Sequence, residues 1–165
     1  MPIQQMLIGL GGAKELNRYI WGSNDHPVSG GLGLNTANPG DLGRSSPTLL
    51  TAGNVPWVGH SGSGEGVTAM IREDGTWWAW GRQTHGQLGL NQANYTAISS
   101  PTQVPGTTWS KVSGGSGTTY AIKTDGTLWG WGNSYQGNLA QNDRTNRSSP
   151  VQIPGTTWSD VFMNS

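Results

Sequence analysis

Two segments of this chain alternate apolar and polar positions on either side of a tight turn. In VTAMIREDGTWWAWG (67–81) and TTYAIKTDGTLWGWG (118–132) the turns are Asp74-Gly75 and Asp125-Gly126, a dipeptide that favours a β-hairpin. Past the second turn Thr127, Trp129 and Trp131 share one face, and Leu128 and Gly130 share the other. Thr76, Trp78 and Trp80 against Trp77 and Ala79 repeat the arrangement. A Gly or Ala in mid-strand predicts the close approach of another backbone. SPTLL (46–50), SPTQV (100–104) and SPVQI (149–153) carry proline near the strand start, where a missing N–H is tolerated. With WVGH (57–60), WSKV (109–112) and WSDV (158–161) the pattern predicts four short strands per unit. No stretch sustains a helical period.

The elements recur in a fixed order. Trp-Gly stands at Trp21-Gly22, Trp80-Gly81 and Trp131-Gly132. A Gly-x-Leu element follows in GGLGL (30–34), GQLGL (86–90) and GNLAQ (137–141). Ser-Ser-Pro comes next, at Ser45-Ser46-Pro47, Ser99-Ser100-Pro101 and Ser148-Ser149-Pro150, and a further Trp at Trp57, Trp109 and Trp158. Four-stranded units at a period of about fifty residues read as β-propeller blades in an all-β fold. The single repeat domain, 1–165, divides into blade 1 at about 3–52, blade 2 at about 53–105 and blade 3 at about 106–154. A closing or next-blade strand follows at about 155–165. Trp21, Trp57, Trp80, Trp109, Trp131 and Trp158, being repeat-equivalent, are expected in the blade cores.

Composition narrows the class. There are 27 Gly and 9 Trp but one Phe, and charged residues make up 11%. So much tryptophan with so little charge does not suit a disordered chain. The formal net charge is zero and no Lys/Arg cluster occurs, so the electrostatic footprint of a nucleic-acid binder is missing. Without Cys there is neither a disulfide nor a thiolate site. The apolar run Met6 to Leu10 is too short for a signal peptide core or a membrane span, so a leaderless chain without membrane insertion is expected.

The stretch GTTWSKVSGGSGTTYAIKTDGTLWGWGNSYQGNL, with SSPVQIPG after it, resembles the repeat of the regulator of chromosome condensation family, which implies a seven-bladed propeller. The resemblance runs from about Tyr19 onward. It departs in the first unit, where GGAKELNRYIWG replaces the Asp-Gly-Thr hairpin and GSNDHPVSGGLGL is three residues longer than its counterparts. With the strands of a unit labelled A to D, IQQMLIGL (3–10) falls at B and NRYIWG (17–22) at C. The chain then reads BCD, ABCD, ABCD and A, and Ser165 is expected to end a closing strand. Three blades fall short of the four to eight or so that close a ring. A longer array, head-to-tail copies sharing blades, or a stack against another protein would each resolve the count.

Chemistry is sparse. His26, His60 and His85 have no regular ligand spacing, and His85 is expected in an exposed loop. GHSGSGEG (59–66) resembles a nucleophile elbow but lacks its helix. No P-loop occurs, Asp25, Asp41, Asp143 and Asp160 lack calcium-loop spacing, and Glu65 and Glu73 form no recurring carboxylate pair. The expectation is a non-catalytic chain without cofactor or metal. Binding is expected in the variable segments 35–44, 91–98 and 141–147, with Tyr95, Arg144 and Arg147 as anchors. Trp77, the Trp least constrained by the repeat, is the aromatic candidate for an exposed contact, with burial between blades as the favoured alternative.

These readings imply a structural or adhesive binding module. SSPVQIPGTTWSDV, DGTLWGWG and the opening MPIQQMLIG are similar to bacterial and phage proteins. The similarity implies a virion component of tail, baseplate or fibre, assembled in the host cytoplasm. Its partners would be other virion or scaffold proteins, further copies of itself, or a host-surface glycan or protein. The alternative is a propeller inhibitor or scaffold, similar to a β-lactamase inhibitor or a GTPase regulator, in the cytoplasm or secreted from bacteria. Zero net charge argues against nucleotide exchange coupled to chromatin binding.

Overall fold

A computed structural model of the chain describes residues 19–23, 43–49, 57–63, 67–92, 96–115 and 117–163. The strand expected at 3–10 lies outside them, as do His26 and Tyr95. The described residues form three antiparallel sheets. The first pairs β1 (Tyr19–Ser23) with β2 (Gly43–Leu49). The second runs β3 (Trp57–Ser63), β4 (Val67–Arg72), β5 (Trp77–Gln83), β6 (Thr96–Gln103). The third runs β7 (Trp109–Gly115), β8 (Thr118–Lys123), β9 (Leu128–Gly132), β10 (Arg147–Ile153). Strand order follows chain order, so each full sheet is a meander of the four predicted strands A to D.

Register explains why Trp-Gly and Ser-Ser-Pro travel together. Ile20 pairs with Thr48 and Gly22 with Arg44; Ala79 pairs with Thr102 and Gly81 with Ile98; Gly130 pairs with Val151 and Gly132 with Arg147. In all three sheets Ser-Ser-Pro therefore bulges opposite a single Trp, where the proline's missing N–H breaks no ladder bond. The glycine after the Trp has φ of 108° at Gly81 and 99° at Gly132, a region side chains avoid. A Cβ at Gly132 would also collide with the Gly117 carbonyl.

The hairpin turns show what Asp-Gly-Thr-x-Trp encodes. Asp125 Oδ1 accepts the Thr127 N–H at 2.9 Å and the Thr127 hydroxyl at 2.7 Å, and Thr127 Oγ1 accepts the Trp129 indole N–H at 2.9 Å. Asp74, Thr76 and Trp78 repeat the relay at 2.9, 2.6 and 3.0 Å. These bonds, the threonine hydroxyl's first, hold both carboxyls below the usual aspartate range. A cation lies between two indoles in each of blades 2 and 3. Arg72 Cζ sits 4.7 Å from the Trp57 ring and 4.0 Å from Trp78; Lys123 Nζ sits 4.8 Å from Trp109 and 4.4 Å from Trp129.

Blades 2 and 3 share one core. Val67, Ala69, Ile71, Trp77, Ala79, Leu88 and Val104 pack against Trp109, Ala121 and Trp131. Trp77 is 1% exposed, 4.9 Å from Trp131 and 5.9 Å from Trp109 between ring centroids. It is no exposed contact: with Ala79 it occupies the face of β5 that blade 3 covers, while Trp78 and Trp80 turn toward Trp57. Trp57, Trp80, Trp109 and Trp131 are buried as expected, and each such indole contributes roughly 1.5–3 kcal/mol or more by leaving water. Trp21 falls in β1.

Two expectations need correction. Gly130 makes room for side chains rather than backbone, since a Cβ there would meet Leu139, Ile153 and Tyr120 at 3.1–3.2 Å. Trp158, expected in a core, is 40% exposed. Its N–H donates to the Gly126 carbonyl at 3.0 Å just as that of Trp109 donates to Gly75. Trp109, however, is enclosed by Lys123 and Trp129 of its own blade as well as by Trp77 and Trp131. Residues 158–163 lie along β7, with Lys111 Nζ on the Ser159 carbonyl at 2.6 Å and the Met163 N–H on Ser113 Oγ at 2.9 Å, but they form no ladder among the described residues.

Candidate functional site

The loops between strands C and D, β5–β6 and β9–β10, stand at one rim. Each is built on the Gly-x-Leu element, whose leucine, Leu88 or Leu139, is fully buried and anchors the loop to its blade. A tight turn spans it, the Gly89 N–H donating to the Gly86 carbonyl at 2.9 Å and the Ala140 N–H to Gly137 at 3.1 Å. In the first loop the Gln87 side-chain oxygen accepts the N–H groups of Thr84 and His85. In the second, Asn146 Oδ1 accepts the Ser134 N–H at 2.9 Å, and Asp143 accepts both the Thr145 N–H and Arg147 Nη2, the latter at 2.6 Å. The Thr145 N–H, then the Arg147 guanidinium, keep the Asp143 carboxyl below its ordinary range.

These loops separate the predicted anchors. Arg144 is exposed and, with Gly137, Ala140, Asn142 and Asp143, lines a shallow depression of about 460 Å³. Arg147 is half-buried at the start of β10 and bound to Asp143, so it stiffens the loop rather than standing free. The sequence reading missed Tyr135. It is 61% exposed, its ring 5.5 Å from that of His85 on the neighbouring blade at an interplanar angle of 74°. The signal was present: Tyr135 stands four residues past Trp131, where the second unit has the buried Thr84 four past Trp80. Among the described residues no group of three or more His, Asp or Glu is placed to hold a metal ion.

Chain-order meanders stacked face to face, with Trp-Gly set against a bulge in each, are β-propeller blades. The regulator of chromosome condensation (RCC1) repeat matches residues 74–122 and 125–162, just over half of the chain, and a second description of that repeat matches 109–138. The chain belongs to the RCC1 repeat family. It is 35% identical over 77 residues to the Regulator of chromosome condensation of Xenopus laevis, covering 46% of this chain and 18% of that protein. Prp20p of Saccharomyces cerevisiae, studied for its binding to Gsp1p and histones, superposes with a TM-score of 0.74 at 17% identity over 85% of this chain and 34% of its own. Human WBSCR16 gives 0.65 at 23% identity over 76% and 32%. Yeast RCC1 (Prp20) in its complex with Kap60 gives 0.73 at 19% over 85% and 33%. The chain thus spans about a third of these structures.

Proposed function

We propose that this chain is a non-catalytic protein-binding propeller module that meets its partner at the β5–β6 and β9–β10 rim. Tyr135 carries the reading. A large aromatic held out from a stiffened loop, set edge-on against His85 and followed by the exposed Arg144, has the make-up of an interface anchor, since Tyr and Arg dominate binding hot spots. The named partners of the yeast relatives, Gsp1p, histones and Kap60, are all proteins. They favour a regulator-like role at least as strongly as a virion one. The virion reading, with tail, baseplate or fibre partners or a host-surface ligand, rests on the resemblance of SSPVQIPGTTWSDV and DGTLWGWG to repeats of bacterial and phage proteins.

The test is to titrate the immobilised chain with Gsp1p and with core histones, and to repeat it with Tyr135→Ala/Arg144→Ala. Saturable binding weakened about tenfold or more in the double variant supports a regulator-like rim site. Binding to neither protein sets the regulator-like role aside and leaves the virion reading. Binding indifferent to the double variant overturns the rim.

A further inference from the structure

The seam between blades 2 and 3 shows what the forward face of a blade receives. Trp131 Nε1 and Thr119 Oγ1, both of blade 3, donate to the Gln87 carbonyl at 2.9 Å, and the Ser148 carbonyl accepts the Asn91 N–H at 2.8 Å. Two glycines make the room. A Cβ at Gly86 would stand 2.7 Å from Ser148 Cα, and one at Gly89 would stand 2.8 Å from Trp131 Nε1. The socket is therefore shaped by one indole and one Ser-Ser-Pro bulge.

The forward face of blade 3 repeats this socket. Gly137 at φ 77° stands for Gly86 at 87°, Ala140 at 52° for Gly89 at 71°, and Asn142 at 58° for Asn91 at 53°. Here the same residues line the open depression of about 460 Å³, and a Cβ on Gly137 would meet only the Asp143 carbonyl, at 3.9 Å. The Asn138 carbonyl, counterpart of Gln87, takes the Tyr120 hydroxyl at 2.7 Å and keeps a second lone pair. Val161 packs beside Ile122, Leu128 and Ile153, while Trp158 and Phe162, the latter 84% exposed, remain open to solvent.

We propose that this face docks the first blade of a second copy of the chain, head to tail. Trp21 would take the place of Trp131, and Ser45-Ser46-Pro47 that of Ser148-Ser149-Pro150. The chain's own inventory names the occupant. Trp-Gly opposes a Ser-Ser-Pro bulge in three sheets; Trp80 and Trp131 are fully buried in cores of this chain, and the third set, on β1 and β2, has the same register. Residues 158–163 lie along β7, held by Lys111 and Ser113. Such a head-to-tail contact is heterologous, so copies either close into a ring or extend as a filament. Ala140 is a partial misfit, because its methyl stands where Gly89 yields to an indole, and it makes this seam looser than the one between blades 2 and 3.

Sedimentation equilibrium of the 165-residue chain across a dilution series tests the proposal. Self-association is expected, tightened about tenfold by Ala140→Gly, which opens the socket, and lost in Ala140→Leu, which fills it. Circular dichroism and thermal melts verify that Ala140→Leu keeps its sheets. The natural chain has no cysteine, so Ser45→Cys with Asn142→Cys places thiols only at the proposed seam, where oxidation should link copies to one another. A monomer at every concentration overturns the proposal. So does an oligomer indifferent to the Ala140 variants, or one that forms no copy-to-copy disulfide.

Discussion

Trp131 of blade 3 donates its indole N–H to the Gln87 carbonyl of blade 2 at 2.9 Å, with both residues buried. The bond crosses the seam at the point where Thr119 reaches the same oxygen, so two donors from one blade converge on one acceptor in the other. Trp131→Phe keeps most of the ring and deletes this donor. Denaturant unfolding is expected to show a loss of about 1–2 kcal/mol. Thr119→Val in the same background should cost more than it does alone, since the carbonyl then has no donor left.

Gly89→Ala tests the same seam from the other side. A methyl 2.8 Å from Trp131 Nε1, on a backbone with φ 71°, should cost about 1–3 kcal/mol in chemical denaturation. Gly137→Ala carries similar backbone strain without the clash, so the difference between the two variants isolates the indole contact.

Acid should weaken the hairpins. Asp74 and Asp125 have folded pKa values below the ordinary carboxylate value, so their bonds add stability above about pH 4 that is lost as pH falls through the folded values. Thermal melts of Asp74→Asn/Asp125→Asn should lie below the wild type at neutral pH. The two curves should converge in acid. Thr127→Val removes the middle of one relay and should cost about 1 kcal/mol at neutral pH.

Lys123 holds its place by charge over two rings. Lys123→Arg should be tolerated, because Arg72 does the same work in blade 2. Lys123→Met should lose about 0.5–2 kcal/mol, measured by thermal denaturation.

Tyr135→Ala is expected to leave unfolding free energy within about 0.5 kcal/mol of wild type, because the ring is mostly in water. A larger loss would make the Tyr135–His85 pair a structural contact rather than a binding one.

The strands, the Asp-Gly hairpins and the four-strand unit were legible because each has a local signature: alternation, a turn dipeptide, a repeated order. The bulge of Ser-Ser-Pro opposite Trp-Gly was not, since it depends on which residues pair across a ladder. Whether Trp77 faces solvent or a neighbouring blade was not legible, because its counterpart is Leu128 and an exchange of Trp for Leu fits either surface. Both are buried, Trp77 against Trp109 and Trp131 and Leu128 beside Ile122 and Ile153. Trp158 was misread because repetition of its motif was equated with burial. Trp109 is enclosed by Lys123, Trp129, Trp77 and Trp131, whereas Trp158 is 40% exposed. At the rim, Arg144 was legible as a variable-loop cation. Tyr135 lay outside the segments judged variable, and only its exposure and its contact with His85 brought it forward.

Hydrogen exchange of the tryptophan indole N–H groups, followed by NMR on a chain labelled at tryptophan nitrogen, tests the stacking of the blades most directly. The Trp131 indole, bonded across the seam and fully buried, should exchange only on global unfolding, while that of Trp158 exchanges within the dead time. A Trp131 signal exchanging as fast as that of Trp158 would contradict the packing of blade 3 onto blade 2.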